Sequence, residues 1–271
     1  MTELQYKLLD MLNWLDSFCR ENGIRYYLLG GTMLGATRHS GFIPWDDDID
    51  VGVPRTDYEK LKELLKQPKS DRYILETPED GAKEFTYGYC KLYDTSTTLV
   101  ERAKIPIKRG IYIDVFPLDG IGDTKKQAFS NFKGLKVLQN AFLLKNLAFK
   151  KDRKVYKNVI VAVARLIPNF LLSIKTISKK ADVLSQKYSF DNSVWVANLF
   201  DAWVYKEIVP RSVFGEPTEI QFENLTVFGV ENPDEYLTSI YGDWRKLPPE
   251  EKRVSHHDYV LCDLNKSYLE E

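Results

Sequence analysis

Gly30 to Val53 reads GGTMLGATRHSGFIPWDDDIDVGV, and this stretch decides the fold. A strand-like run, Ile24 to Leu29, leads into the glycine pair. A short helical segment follows, and the chain then re-enters a strand carrying Asp48 and Asp50. Side chains two apart on a strand share a face, roughly 6 to 7 Å apart. Two carboxylates placed this way can grip one or two cations, with Asp46 on the same parity as an outer helper. Ile49, Val51 and Val53 take the opposite face and suit a core. Half-burying two like charges costs several kcal/mol unless a metal or a basic group compensates. Gly30 and Gly31 let the backbone turn tightly and approach a ligand, and Thr32 is placed to cap the following helix. Free N–H groups and the helix dipole favour an anion there, within reach of Arg38 and His39. Gly-Gly-Thr ahead of Asp-x-Asp thus sets phosphate donors beside metal ligands, as phosphoryl or nucleotidyl transfer requires.

The flanking chain alternates helical and strand patterns. Thr2 and Gln5 fit a capping box, and Leu4, Leu8, Met11, Leu12, Leu15, Phe18 and Cys19 share one helical face. Thr56 and Glu59 fit a second box, opening a helix with Tyr58, Leu61, Leu64 and Leu65 as its packing stripe. Tyr73 to Glu76 and Thr86 to Glu101 read as strands, the latter a hairpin turning at Asp94-Thr95-Ser96. Lys91, inside that hairpin, can point at a phosphate or serve as a solvated edge charge. In Ile111 to Phe116, Asp114 stands between Ile113 and Val115, costly unless something binds it. Pro117 is expected to end this strand, with Asp119 capping the turn after it. The order helix, strand, glycine turn, helix, strand, helix predicts an α+β or α/β fold.

Three stretches together resemble the LicD family: GGTMLGATRHSGFIPWDDDIDVGV, GIYIDVFPLDG at Gly110 to Gly120, and YGDWRKLPPEEKRVSHH at Tyr241 to His257. That family includes the phosphocholine transferases of bacterial surface polymers, and the chain is more distantly similar to the fukutin-related ribitol-phosphate transferases. The resemblance implies an α+β fold, a nucleotidyltransferase-like mixed sheet flanked by helices. It implies Mg²⁺ or Mn²⁺ on Asp48 and Asp50, with Asp114 in the place of the third catalytic carboxylate. It also implies a CDP-linked donor, CDP-choline or another CDP-alcohol, and a lipid-linked glycan or teichoic acid precursor as acceptor. Gly30, Gly31, Thr32, Arg38 and Lys91 become candidate phosphate contacts. The proline-rich loop after Gly242 reads as a lid contributing Arg253, His256 or His257 to the same phosphates. Adjacent histidines do not share a face, so that pair is not a two-ligand metal site. The alternative chemistry is nucleotidyl transfer to a small molecule with release of pyrophosphate.

The 271 residues are 44% hydrophobic and 28% charged, ordinary for a globular chain that buries a large core. Charge is unevenly spread. Lys125 to Lys187 holds 15 Lys and Arg against Asp152 and Asp182, a net of +13, and the remainder carries −14. This basic helical stretch reads either as a solvated face or as a peripheral contact with anionic lipid. Nothing in it resembles a base-reading module, so no nucleic-acid partner is expected. The chain divides into a catalytic core at 1–123, a basic helical segment at 124–198 and a C-terminal part at 199–271 that packs back on the core. Cys19, Cys90 and Cys262 are far apart and suggest neither a disulfide framework nor the zinc site of the fukutin-related proteins. The N-terminus lacks a basic signal-type region, and Val159 to Ile174 is short and holds Arg165 and Pro168. A cytoplasmic protein is expected, peripheral at the inner face of the membrane where the basic stretch meets lipid.

Overall fold

The fold was analysed in a computed structural model, which describes residues 1–67, 70, 72–78, 87–101, 107–146, 154–168, 170–201, 204–255 and 259–270. In chain order the first half comprises α1 (Glu3–Glu21), β1 (Tyr27–Leu28), α2 (Gly30–His39), β2 (Asp50–Pro54), α3 (Arg55–Leu65), β3 (Tyr73–Glu76), β4 (Cys90–Asp94), β5 (Thr98–Glu101), β6 (Lys108–Arg109) and β7 (Tyr112–Gly122). Three helices follow, α4 (Lys125–Asn146), α5 (Val155–Arg165) and α6 (Ile174–Lys187). The chain then forms β8 (Trp195–Asn198), β9 (Val209–Pro210), α7 (Arg211–Phe214), β10 (Thr218–Phe222), β11 (Leu225–Gly229), α8 (Pro233–Tyr241) and β12 (Tyr259–Asp263).

The fold is α+β. Its main sheet runs β1-β2-β7-β4-β3, with β8 also on β7 and β9 on β8. β2 and β7 pair parallel, and the other neighbours in this sheet are antiparallel. α1 begins with the expected capping box, and Leu8, Met11, Leu12, Leu15 and Cys19 are buried in the main core with Ile49, Val51 and Val53. A second apolar cluster forms where Ala128, Phe132 and Leu135 of α4 and Ile177 and Ala181 of α6 cover Ile121, Ala197 and Leu199.

Several local expectations are corrected. The strand before the glycine pair is only Tyr27–Leu28, and α3 opens at Arg55 behind Pro54 with no side-chain cap, so Thr56 and Glu59 form no box. β4 and β5 do not make a hairpin. β4 joins the main sheet, whereas β5 pairs with β6 and β12 in a separate three-stranded sheet. Pro117 does not end its strand, because β7 changes partners there. On one side β4 pairs as far as Val115 and β8 takes over at Leu118, so the missing proline N–H falls in a gap.

Asp119 is likewise no turn cap. It is fully buried and receives two hydrogen bonds from Arg55, Nε at 2.7 Å and Nη2 at 2.9 Å. Arg55 also reaches Asp182 of α6 at 3.0 Å, tying the basic helices to the sheet. Breaking a buried pair by removing one partner costs about 3–5 kcal/mol, because the remaining charge has no compensation. Arg55→Met is therefore expected to destabilise the chain by about that amount in urea unfolding. A loss below about 1 kcal/mol would mean that water or another cation replaces the guanidinium.

Candidate active site

The parallel register of β2 and β7 sets Asp50 opposite Asp114, and the antiparallel register of β7 and β4 sets Asp114 opposite Lys91. Residues in register share a face, so these three side chains form a row across adjacent strands about 4.8 Å apart. Asp48 precedes the strand rather than lying in it, on the extended lead-in to β2. Backbone pairing continues into that lead-in, where the Asp114 N–H donates to Ile49 O at 3.0 Å.

The glycine turn places Asp50. Gly30 has φ of +49°, a conformation that favours glycine, and a Cβ there would meet Asp50 Oδ2 at 3.3 Å. A Cβ on Gly31 would stand 2.7 Å from Asp46 Oδ2. The two glycines thus admit carboxylates against the backbone. α2 starts at Gly30 with Leu29 at its cap position, so Thr32 is not the cap. Thr32 is instead buried, and its hydroxyl accepts the Asp50 N–H at 2.9 Å. The Gly30 N–H donates to Tyr236 Oη at 3.1 Å, which removes it from the set of phosphate donors.

Lys91 is neither an edge charge nor a residue of the cleft wall. It is 1% exposed, and its Nζ donates to Asp114 Oδ1 at 2.5 Å. The same ammonium lies 3.4 Å from the Tyr112 ring centroid and 4.0 Å from that of Tyr87. Both phenols donate to Glu101, at 2.7 and 2.6 Å. The buried lysine is thus enclosed by two aromatic faces and faces the Asp114 carboxylate. It supports Asp114 from behind, while Tyr89 Oη donates weakly to Asp114 Oδ2 at 3.4 Å.

In front of the row lies a cleft of about 950 Å³. Asp46, Asp48, Asp50 and Asp114 line its floor, with Gly31 and Arg38 of α2 beside them. Asp201, Tyr241, Asp243, Lys246 and Lys252 come from the second half of the chain. Sequence reasoning did not single these out, although Tyr241, Asp243, Lys246 and Lys252 lie within the YGDWRKLPPEEK stretch. Asp201 has no local signal. Arg38 lines the cleft and also fastens the C-terminal loop, its Nη1 donating to Trp244 O at 2.9 Å. Arg253 donates to Pro248 O and lies 5.7 Å from the ring of Trp45, a lining residue, while its neighbours Lys252 and Val254 line the cleft themselves. His256 and His257 lie outside the described residues.

Burial, and then the charges of Asp48 and Asp114, hold the Asp50 carboxyl well above the ordinary carboxylate range. Burial also raises Asp114, opposed by Lys91 and reinforced by Asp48. The hard oxygen donors of these carboxylates suit Mg²⁺ or Mn²⁺. No group of three or more His, Cys, Asp or Glu among the described residues is arranged to hold a metal ion by itself. This fits an ion that takes one or two carboxylates and completes its shell with substrate phosphates and water.

A carboxyl whose pKa is raised by folding favours the folded state below its unfolded pKa, and this contribution is lost as pH rises through the folded value. At neutral pH without metal, Asp50 therefore works against folding. Asp50→Asn is expected to raise the unfolding midpoint of the metal-free chain by roughly 2–4 °C, on the order of 1 kcal/mol. A lower midpoint would mean that the carboxylate is already compensated.

The family model described as LicD/FKTN/FKRP, nucleotidyltransferase domain, matches residues 23–149. Lipopolysaccharide cholinephosphotransferase LicD of Haemophilus influenzae is 29% identical over 262 residues, covering 95% of this chain and 96% of that protein. Human ribitol 5-phosphate transferase FKRP is 48% identical over 42 residues, 16% of this chain and 8% of that protein. Mannosyltransferase regulator 4 of Saccharomyces cerevisiae is 29% identical over 124 residues, 42% of this chain and 10% of that protein. The segment that matches this nucleotidyltransferase domain is thus the one that contains the glycine turn, the Asp50–Asp114 register and Lys91.

Proposed function

We propose that the chain is a metal-dependent phosphotransferase that moves phosphocholine, or a related alcohol phosphate, from a CDP-linked donor to a sugar hydroxyl of a cell-surface glycan or teichoic acid precursor. The observation that carries this reading is the half-buried row of Asp50 and Asp114, with Asp48 at its approach, lining a cleft that Arg38, Lys246 and Lys252 also line. Carboxylates and cations lining one cleft suit a phosphate-bridged metal. Similarity to LicD along nearly the whole chain supports phosphotransfer as the reaction class. The lipid-linked nature of the acceptor and a cytoplasmic, membrane-side setting belong to the same proposal.

In this reading Asp48 and Asp50 would hold the ion, and Asp114 stands beside them as the base for the acceptor hydroxyl. When bound, Mg²⁺ or Mn²⁺ neutralises the phosphate oxygens and the departing CMP. Arg38, Lys246 and Lys252 hold the outer phosphate oxygens. The acceptor hydroxyl forms a P–O bond to the distal phosphorus as the bond to CMP breaks, and its proton passes to Asp114. Lys91 fixes the rotamer of Asp114, and Thr32 fixes the backbone of Asp50. Tyr87 and Tyr112 already enclose Lys91, so a quaternary ammonium falls to aromatics of the cleft such as Trp45, Phe116 and Phe200.

With Mg²⁺, CDP-choline and a glycan precursor, the chain is expected to release CMP and leave phosphocholine on the acceptor. CDP-ribitol and CDP-glycerol are the further donors to try. Pyrophosphate from CTP, with no CMP from any of the three, would replace this reading with nucleotidyl transfer. Separately, Asp48→Asn, Asp50→Asn and Asp114→Asn are each expected to lower kcat by at least about 10²-fold, the scale of losing one preorganised electrostatic group. A variant with unchanged turnover would remove that residue from the proposed machinery.

A further inference from the structure

α5 is an amphipathic helix turned inside out. Its inward side is marked by Val161 and Ala164, which are buried. The opposite side carries Val155, Tyr156, Val159, Ile160, Val163 and Leu166, 47–81% exposed. At 100° per residue these six fall within one arc of roughly 140°, a stripe that normally faces a core. The turn beyond adds Phe170 at 78% and Leu171 at 54% exposure. Contiguous apolar patches beyond a few hundred Å² are rare on soluble monomers and mark interaction surfaces.

Charge selects the occupant. The surrounding 125–187 segment is net +13, with Lys154, Lys157, Lys175, Lys179 and Lys180 exposed. A second copy meeting this face across a two-fold axis would set +13 against +13. An anionic bilayer supplies both an apolar phase and the opposite charge. The remainder of the chain, at −14, is repelled by the same surface, which orients the molecule with its helical face down. No helix among the described residues is long and apolar enough to cross a membrane. With 11 residues, α5 spans about 16 Å against roughly 30 Å of hydrocarbon.

We propose that α5 and the Phe170-Leu171 turn form an in-plane docking surface for an anionic lipid bilayer, the apolar face of α5 entering the headgroup boundary and the flanking lysines meeting acidic headgroups. This extends the membrane-side setting proposed above, but lipid binding is read without substrate and is independent of the reaction.

The test is sedimentation of the full chain with vesicles of 70:30 phosphatidylcholine to phosphatidylglycerol and of phosphatidylcholine alone. The chain is expected to pellet with the anionic vesicles at 0.05 M salt (~14 Å screening length) and to stay partly bound at about 0.5 M, where headgroup attraction is largely screened. V159D/I160D/V163D, whose wild-type side chains are exposed, is expected to fold with an unchanged unfolding midpoint and to lose at least about 20-fold in partitioning. Three results overturn the proposal: no binding to anionic vesicles at low salt, complete release at about 0.5 M, or a triple variant that binds as the wild type does. A wild-type dimer that the triple variant dissociates, without vesicle binding by either, would reassign the face to self-association and equally overturn the lipid assignment.

Discussion

Two carboxylates on neighbouring strands repel each other, and the register of β2 against β7 forces Asp50 and Asp114 into that position. The rest of the site can be understood as support for this pairing. Lys91, one strand further on, offsets part of the charge from behind and is itself held between Tyr112 and Tyr87, both bonded to Glu101. Thr32 holds the Asp50 backbone, and Gly30 and Gly31 leave room for the carboxylates of Asp50 and Asp46. The partial burial that makes the row costly also favours a ligand that brings positive charge.

The second half of the chain turns an acidic sheet face into a cleft. Arg38 at the end of α2 anchors the loop after α8 through Trp244 O, and Ser255 donates to Asp47 Oδ2 at 2.7 Å. Lys246 and Lys252 line the same cleft as the carboxylates. Its volume of about 950 Å³ is large enough for a nucleotide-sized ligand. The basic helices attach elsewhere, through the apolar cluster on β8 and the bonds of Arg55 to Asp119 and Asp182. Acidic cleft and basic helices are thus built on one sheet.

Much of this was legible in the chain because the signals are local. Alternation of Ile49, Val51 and Val53 with Asp48 and Asp50 marks one face as core and the other as acidic, and the Thr2–Gln5 box and apolar stripe of α1 appear as read. Asp114 stands out as a charge inside an apolar strand. Local patterning failed where the outcome depends on a distant neighbour. Pro117 looks like a strand end until β4 and β8 are seen to leave a gap for it, and Asp119 looks like a turn residue until Arg55 reaches it. Lys91 looks solvated because a period-two pattern does not reveal that both faces of a central strand are covered.

By itself, the sequence determined the chemistry available: an Asp-x-Asp pair reached through a glycine turn, a third carboxylate inside an apolar run, and a strongly basic helical stretch. Those features follow from residue type and spacing, which act over a few residues. Tertiary structure alone decided that Lys91 serves Asp114 rather than a ligand, that the Gly30 N–H goes to Tyr236, that Asp201 and Lys252 join the cleft, and that α5 turns its apolar side outward. Each is a choice of partner across tens to hundreds of residues, set by strand register and helix packing, which no local spacing encodes.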